Sequence, residues 1–286
     1  MTRKAPVLAL VFAFALGLAA CTTTRLDGPQ AWEPRLHGGA IVLLGEVHDN
    51  AEVHRLRLEV LRRAFEAGWR PAVAMEQFDR ERQADIDRAR LERPGDAQHV
   101  IDAAATPSKS GGGWNWDFYR PVVALALRYD VPLIAANLAN ADTAKIVRGG
   151  NAAVFDTASM SALGLDRSVP ADLQSGQESE IDLGHCHALP KAMWPRMANA
   201  QFARDAVMAD LLRRHGERGA VLIAGNGHAR RDLGVPRWLA ADAGRAFSVG
   251  FIEQGDDGVP ASAFDAVVRA RPRERADPCE SFAAPP

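Results

Sequence analysis

Tyrosine and cysteine are scarce in this chain, with two of the first and three of the second in 286 residues. Three cysteines are too few for a disulfide framework, so the fold has to rest on an apolar core. The apolar fraction of 47% and the length suffice for one large domain, or for one with a smaller insert. Charge of one sign is also missing: the formal net charge is -2, and no basic patch is interleaved with aromatics. Both argue against nucleic acid as a partner. A G-x-S-x-G elbow, a P-loop and a G-x-G-x-x-G run after a strand are absent, which weakens the serine-hydrolase, nucleoside-triphosphatase and dinucleotide readings. Repeats and low-complexity linkers are absent too.

What is present starts at the N-terminus. Arg3 and Lys4 form a short basic region, and Val7 to Leu18 an apolar run of signal-peptide rather than membrane-spanning length. It ends in Leu18-Ala19-Ala20-Cys21, similar to a bacterial lipobox. The expectation is a signal over 1–20, an acylated (palmitate-bearing) Cys21 and a polar tether over 21–34. That places the protein in the bacterial envelope, lipid-anchored to the outer membrane and facing the periplasm. An ordinary secretory signal cut near Ala20 is the alternative. Cys186 and Cys279 would then sit where disulfides persist and could pair. His185-Cys186-His187 offers a ligand role that competes with a bridge.

Short apolar runs alternate with helical stretches. Strands are expected at Ala40 to Leu44, Ala72 to Met75, Leu133 to Ala136, Ala220 to Ala224 and Phe247 to Phe251. Helices are expected at Val53 to Ala67, from about 80 to 93, at Val122 to Tyr129 and at Ala192 to His215. This rhythm predicts an α/β fold over 35–270, with a mostly parallel β-sheet flanked by helices. The stretches 80–115 and 142–200 break it, and one or both are expected to form a smaller all-helical subdomain. The tail 271–286 reads as irregular.

Four strands run into polar groups: Gly45-Glu46-Val47-His48, Glu76-Gln77, Asn137 and Gly225-Asn226-Gly227-His228. In an open parallel sheet these ends share the edge where ligands bind. Glu46 and His48, two apart, would share a side if the strand persisted. His54 either reaches back to that edge or sits on a solvated helix face, and Asp49 or Asn50 suits the helix N-cap, a reading that for Asp49 slightly outweighs a role in the site. Gln201, Arg204, Asp205 and Met208 form a polar stripe on an otherwise apolar helix, with Arg204 a candidate partner for a site carboxylate. The aromatic run 112–119, with Trp116 and Tyr119, either serves a flat ligand or locks a loop onto the core. Two carboxylates and two or three imidazoles support a divalent metal held by Glu46, His48 and His228, metal-free acid–base work by Glu46, His48, Glu76 and His228, or polar anchors for a cofactor.

Taken in order, LLGEVHDNAEVH, AMEQFDR, WNWDFYRPVVALA, PLIAANL, the H-C-H segment, MANAQFARDAVMA and IAGNGHARRDLGVP resemble the ChaN-like family of haem-binding, iron-linked bacterial lipoproteins. More remotely they are similar to TraB/Tiki-type metalloproteases and erythromycin esterases. The resemblance, over about residues 35–240, implies haem binding, as between two subunits of a homodimer, with a tyrosine on iron and a histidine near a propionate. Tyr119 is the better tyrosine and Tyr129 the other, with His185, His187 and Trp116 as further cofactor contacts. The remote relatives imply a catalytic or metal role for Glu46, His48, Glu76 and His228, supported by His54, Asn137, Gln201, Arg204 and Asp205. Two functions therefore compete: haem capture for iron acquisition, and a Glu/His hydrolase working with or without a metal.

Overall fold

The computed structural model describes residues 26–27, 29–107, 113–255, 258–277 and 279–280. The expected signal peptide and Cys21 lie outside them. Seven strands form one sheet: β1 (Leu26–Asp27), β2 (Ile41–Glu46), β3 (Ala72–Asp79), β4 (Leu133–Asn137), β5 (Ala220–Gly225), β6 (Ala246–Glu253) and β7 (Ala266–Ala270). Their order is β1-β7-β6-β2-β5-β3-β4, and every neighbouring pair is parallel. The helices are α1 (Pro29–Trp32), α2 (Ala51–Glu66), α3 (Gln83–Glu92), α4 (Ala97–Ala104), α5 (Trp116–Arg128), α6 (Asn140–Gly149), α7 (Thr157–Leu163), α8 (Ala171–Gly184), α9 (Trp194–Arg214) and α10 (Asn226–Ala229). The chain is thus α/β, as its rhythm predicts.

Strand alternation sorts the core into two layers. Val42, Leu44, Val73, Met75, Val221 and Ile223 face one way, against α2, α4 and α5. Ile41, Leu43, Ala72, Ala74, Leu222 and Ala224 face the other, against Met208, Ala209 and Leu212 of α9. Each large aliphatic buried here contributes about 1.5–3 kcal/mol relative to exposure. Helix α2 begins where the Asn50 side chain accepts from the amides of Glu52 (2.9 Å) and Val53 (3.2 Å). It is followed by Gly68, whose φ of +100° only glycine adopts without strain. Asn50, not Asp49, is therefore the cap.

The helical insert is narrower than the sequence allowed. Ile86, Ala89, Val100 and Ile101 of α3 and α4 belong to the main core, so residues 83–104 complete the α2/α5 layer. Helices α6 to α8 pack instead on α9 through two small clusters, one around Ile146, Phe155 and Ala203, the other around Leu173, Ile181 and Phe202. The stretch read as a tether also enters the fold, since Trp32 is fully buried in the main core. Strand β7 escaped the sequence reading because Arg269 interrupts its short apolar run. After β7 the chain carries no regular structure over 271–277, yet it is pinned at its far end by a Cys186–Cys279 disulfide with Cα atoms 5.4 Å apart. A bridge, not a ligand role, claims Cys186.

Candidate functional site

Strands β2, β5 and β3 lie side by side; β2 and β5 end on Glu46 and Gly225, and β3 carries Glu76 just past the last residue paired with β5. Glu46 continues the alternation of Val42 and Leu44, toward α2 and α5. Glu76 continues that of Ala72 and Ala74, toward α9. The two carboxylates consequently have separate partners.

Glu46 is fully buried and its oxygens are crowded. Its Oε1 accepts from Tyr119 Oη at 2.5 Å and Gln77 Nε2 at 3.4 Å, and lies 2.9 Å from His48 Nδ1. Its Oε2 is ion-paired with Arg57, itself 0% exposed, and lies 3.8 Å from His54 Nδ1. Burial pulls the Arg57 guanidinium down to about 10, still charged at neutral pH, and pushes the Tyr119 phenol up. His54 reaches back, as one of its two readings had it: Nε2 donates to His48 O at 2.9 Å while Nδ1 accepts from Arg57 at 3.0 Å. That tautomer is neutral, in keeping with burial lowering its pKa.

Glu76 accepts from Gly225 N at 2.8 Å and lies 3.4 Å from His228 Nε2. On its other side His228 Nδ1 meets Asp205 at 2.5 Å, and Gln201 comes within 3.2 Å of the ring. Burial alone would lower His228, but Glu76 and then Asp205 hold it up to about 10. Burial alone would raise Glu76, but His228 and then His48 hold it down to about 2. The three form a buried imidazolium between two acids. Asp205, raised by burial, shares that cation.

His48 sits between the two groups and is the accessible member, its side chain 46% exposed. Its pKa is lowered, chiefly by burial of the rest of the ring, with His228 adding to this and Glu76 opposing it. Nε2 lies over Gly225, where a Cβ would approach within 2.8 Å. Trp114 stacks edge-on at 4.8 Å. A neutral imidazole with Nδ1 on a buried carboxylate is oriented to act through Nε2 as a base or a ligand. Beyond it opens a cleft of about 650 Å³ lined by His48, Asn50, Trp114, Phe118, Arg271 and Arg273.

Other residues singled out by sequence lie elsewhere. Trp116 packs on Phe78 and Tyr119 (4.9 and 6.1 Å), while Phe118 stacks on His54 at 4.6 Å, so the aromatic run both locks its loop and lines the cleft. Tyr119 is 0% exposed, and Tyr129, past the other end of α5, lies between Phe65 (5.4 Å) and Arg70 (4.4 Å). Neither tyrosine lines the cleft. His185 and His187 bond back to their own helix, at Ile181 O and Asp182 (both 2.7 Å). Asn137 donates to Asp79 at 2.8 Å, on the far side of β3. Arg204 bonds Asn140 at 2.5 Å rather than pairing with a site carboxylate. The expected divalent metal is corrected: among the described residues no group of three or more His, Cys, Asp and Glu is disposed to hold one. Glu46 and His228 are taken by Arg57 and by Asp205 on different sides of the sheet. Sequence reasoning missed Arg57, although an arginine on the apolar stripe of Val53, Val60 and Leu61 was a visible signal.

A solved structure shares this architecture. ChaN of Campylobacter jejuni, described for its cofacial haem binding, matches with a TM-score of 0.63 and 20% identity, over 81% of this chain and 87% of that one. An erythromycin esterase mutant in its open conformation matches at 0.47 and 12%, over 82% and 77%. A Bacillus cereus protein matches at 0.42 and 12%, over 80% and 71%. No curated protein shows significant sequence similarity. Residues 34–239 match the family described as haem-binding uptake, Tiki superfamily, ChaN, and since this is well over half of the chain, the protein belongs to that family.

Proposed function

We propose that this protein binds haem in the cleft beside His48, as a lipid-anchored envelope protein serving iron acquisition. The observation that carries the reading is the cleft itself: in a member of this family, Trp114, Phe118, a half-exposed imidazole and Arg271 surround one opening. Aromatic faces suit a flat macrocycle, and a guanidinium suits its propionates. Bound haem would bring an iron centre that imidazole or tyrosinate can ligate. His48 is the half-exposed donor, its ring fixed by Glu46. Tyr119 would have to leave Glu46 to serve. Acylation of Cys21, the periplasmic face of the outer membrane, and pairing of two copies around the ligand belong to the same proposal. The Cys186–Cys279 bridge supports an oxidising compartment.

A second reading is favoured by one observation, the 2.9 Å contact of His48 Nδ1 with Glu46, which would prepare Nε2 as general base of a metal-free hydrolase. Titration of the purified protein with hemin separates the two. A saturable Soret band, weakened in His48→Ala, is expected. No saturable spectral change, with ester turnover that His48→Ala abolishes, would overturn haem binding in favour of hydrolysis.

A further inference from the structure

Residues 271–277 follow β7 and cross the sheet's C-terminal edge. Asn50, while capping α2, donates through Nδ2 to Glu253 at 2.5 Å and to Arg271 O at 2.8 Å. Arg273 donates to Asp49 O at 2.8 Å and pairs with its carboxylate at 2.9 Å. Arg275 pairs with Asp49 at 2.9 Å and Glu253 at 2.8 Å. Those hydrogen bonds, from Arg275 first, hold Glu253 down to about 2. Cys279 then fastens the strap to Cys186 at the end of α8. Arg273 and Arg275 are thus neutralised, and Asp49 and Glu253 with them.

Arg271 is different. It is exposed, lines the cleft, and its guanidinium makes no hydrogen bond or ion pair among the described residues. Glu52, the acid that feels its charge, is already gripped on both oxygens by Arg55 at 2.7 Å. An uncommitted guanidinium at the mouth of an aromatic-walled cleft is a carboxylate receptor. The strap lies beyond the family match, which ends at residue 239.

We propose that the strap is the anion-recognising wall of the cleft, with Arg271 contacting a carboxylate of the bound molecule and the Cys186–Cys279 bridge holding Arg271 in position. This rests on the haem reading and names the residue that would read the propionates. The test compares hemin with hemin dimethyl ester, titrated spectroscopically against the intact protein, Arg271→Glu, and the Cys186→Ser/Cys279→Ser double variant. Arg271→Glu weakens hemin binding by about tenfold or more and leaves the ester unaffected. The double variant shows the same selective loss, and trypsin cuts its strap faster. Hemin binding unchanged in both variants overturns the strap's role and leaves the haem reading standing. A loss that is equal for acid and ester also overturns it, since misfolding would not discriminate between them. Failure of the intact protein to bind hemin overturns both.

Discussion

His228 is a base that burial would neutralise, kept charged by the acids on either side. Its folded pKa of about 10 lies above its ordinary 6.5, so its contribution is complete below pH 6.5 and is lost as pH rises toward 10. Glu76, held at about 2 against an ordinary 4.5, contributes above pH 4.5 and loses that as pH falls toward 2. Asp205 is raised, so its ionisation opposes the fold as pH climbs from the acid side. The full benefit of the His228–Glu76 pair therefore spans pH 4.5 to 6.5. His228→Asn should cost about 3–5 kcal/mol there, the cost of breaking a buried pair. Denaturant unfolding at a series of pH values measures it. A deficit that stayed constant from pH 6 to about 10 would contradict the assignment. The residues of this triad were readable singly, as a strand-end acid, a histidine after a glycine turn, and an acid on a polar helical stripe. Their grouping was not, because sequence places His228 and Asp205 near one edge without saying which face of the sheet each takes.

Strand β5 ends on glycine because the His48 ring needs its space. A Cβ at Gly225 would meet His48 Nε2 at 2.8 Å, while its amide stays bonded to Glu76. Gly225→Ala should cost about 1–3 kcal/mol by overpacking and turn the His48 ring away from Glu46. Chemical denaturation gives the first effect and the His48 NMR titration the second. An unmoved His48 titration would mean that the ring has slack which the packing does not show. The long apolar strands were legible because both faces are buried and their runs are continuous, as in Ile41–Leu44 and Ala220–Ala224. Strand β7 was not, with five residues and a charge among them. Helices α3 and α4 looked like an insert because their stretch breaks the strand–helix alternation, yet Ile86, Val100 and Ile101 suffice to tie them to the main core.

Across the whole molecule, the bridge joins residues 93 apart in sequence, tying the α8 end to the strap. Closing a loop of that length in the unfolded chain is worth about 4–5 kcal/mol in the chain-entropy model, and native bridges generally give about 2–5 kcal/mol. Reduction should lower stability within that range, read as a shifted denaturation midpoint. An unchanged midpoint would show that the strap is held by its ion pairs alone. The irregular tail gave no sign of this in sequence, because arginines separated by single residues look like a solvated run until Asp49, Asn50 and Glu253 are brought beneath them.

The strap also makes an order of assembly available to the chain. Every strand of the sheet precedes it in the chain, so the core can close, and Glu46 and Glu76 can find their partners, before the strap walls the cleft. Arg271 takes its place only once the strap is laid across the edge, and stays there once Cys279 has met an oxidant and Cys186. On the proposed role of Arg271, a molecule halted before that step would not discriminate by charge what enters the cleft. If Arg271 reads the ligand's charge as proposed, maturation of that surface depends on oxidation of Cys186 and Cys279 as well as on the hydrophobic core.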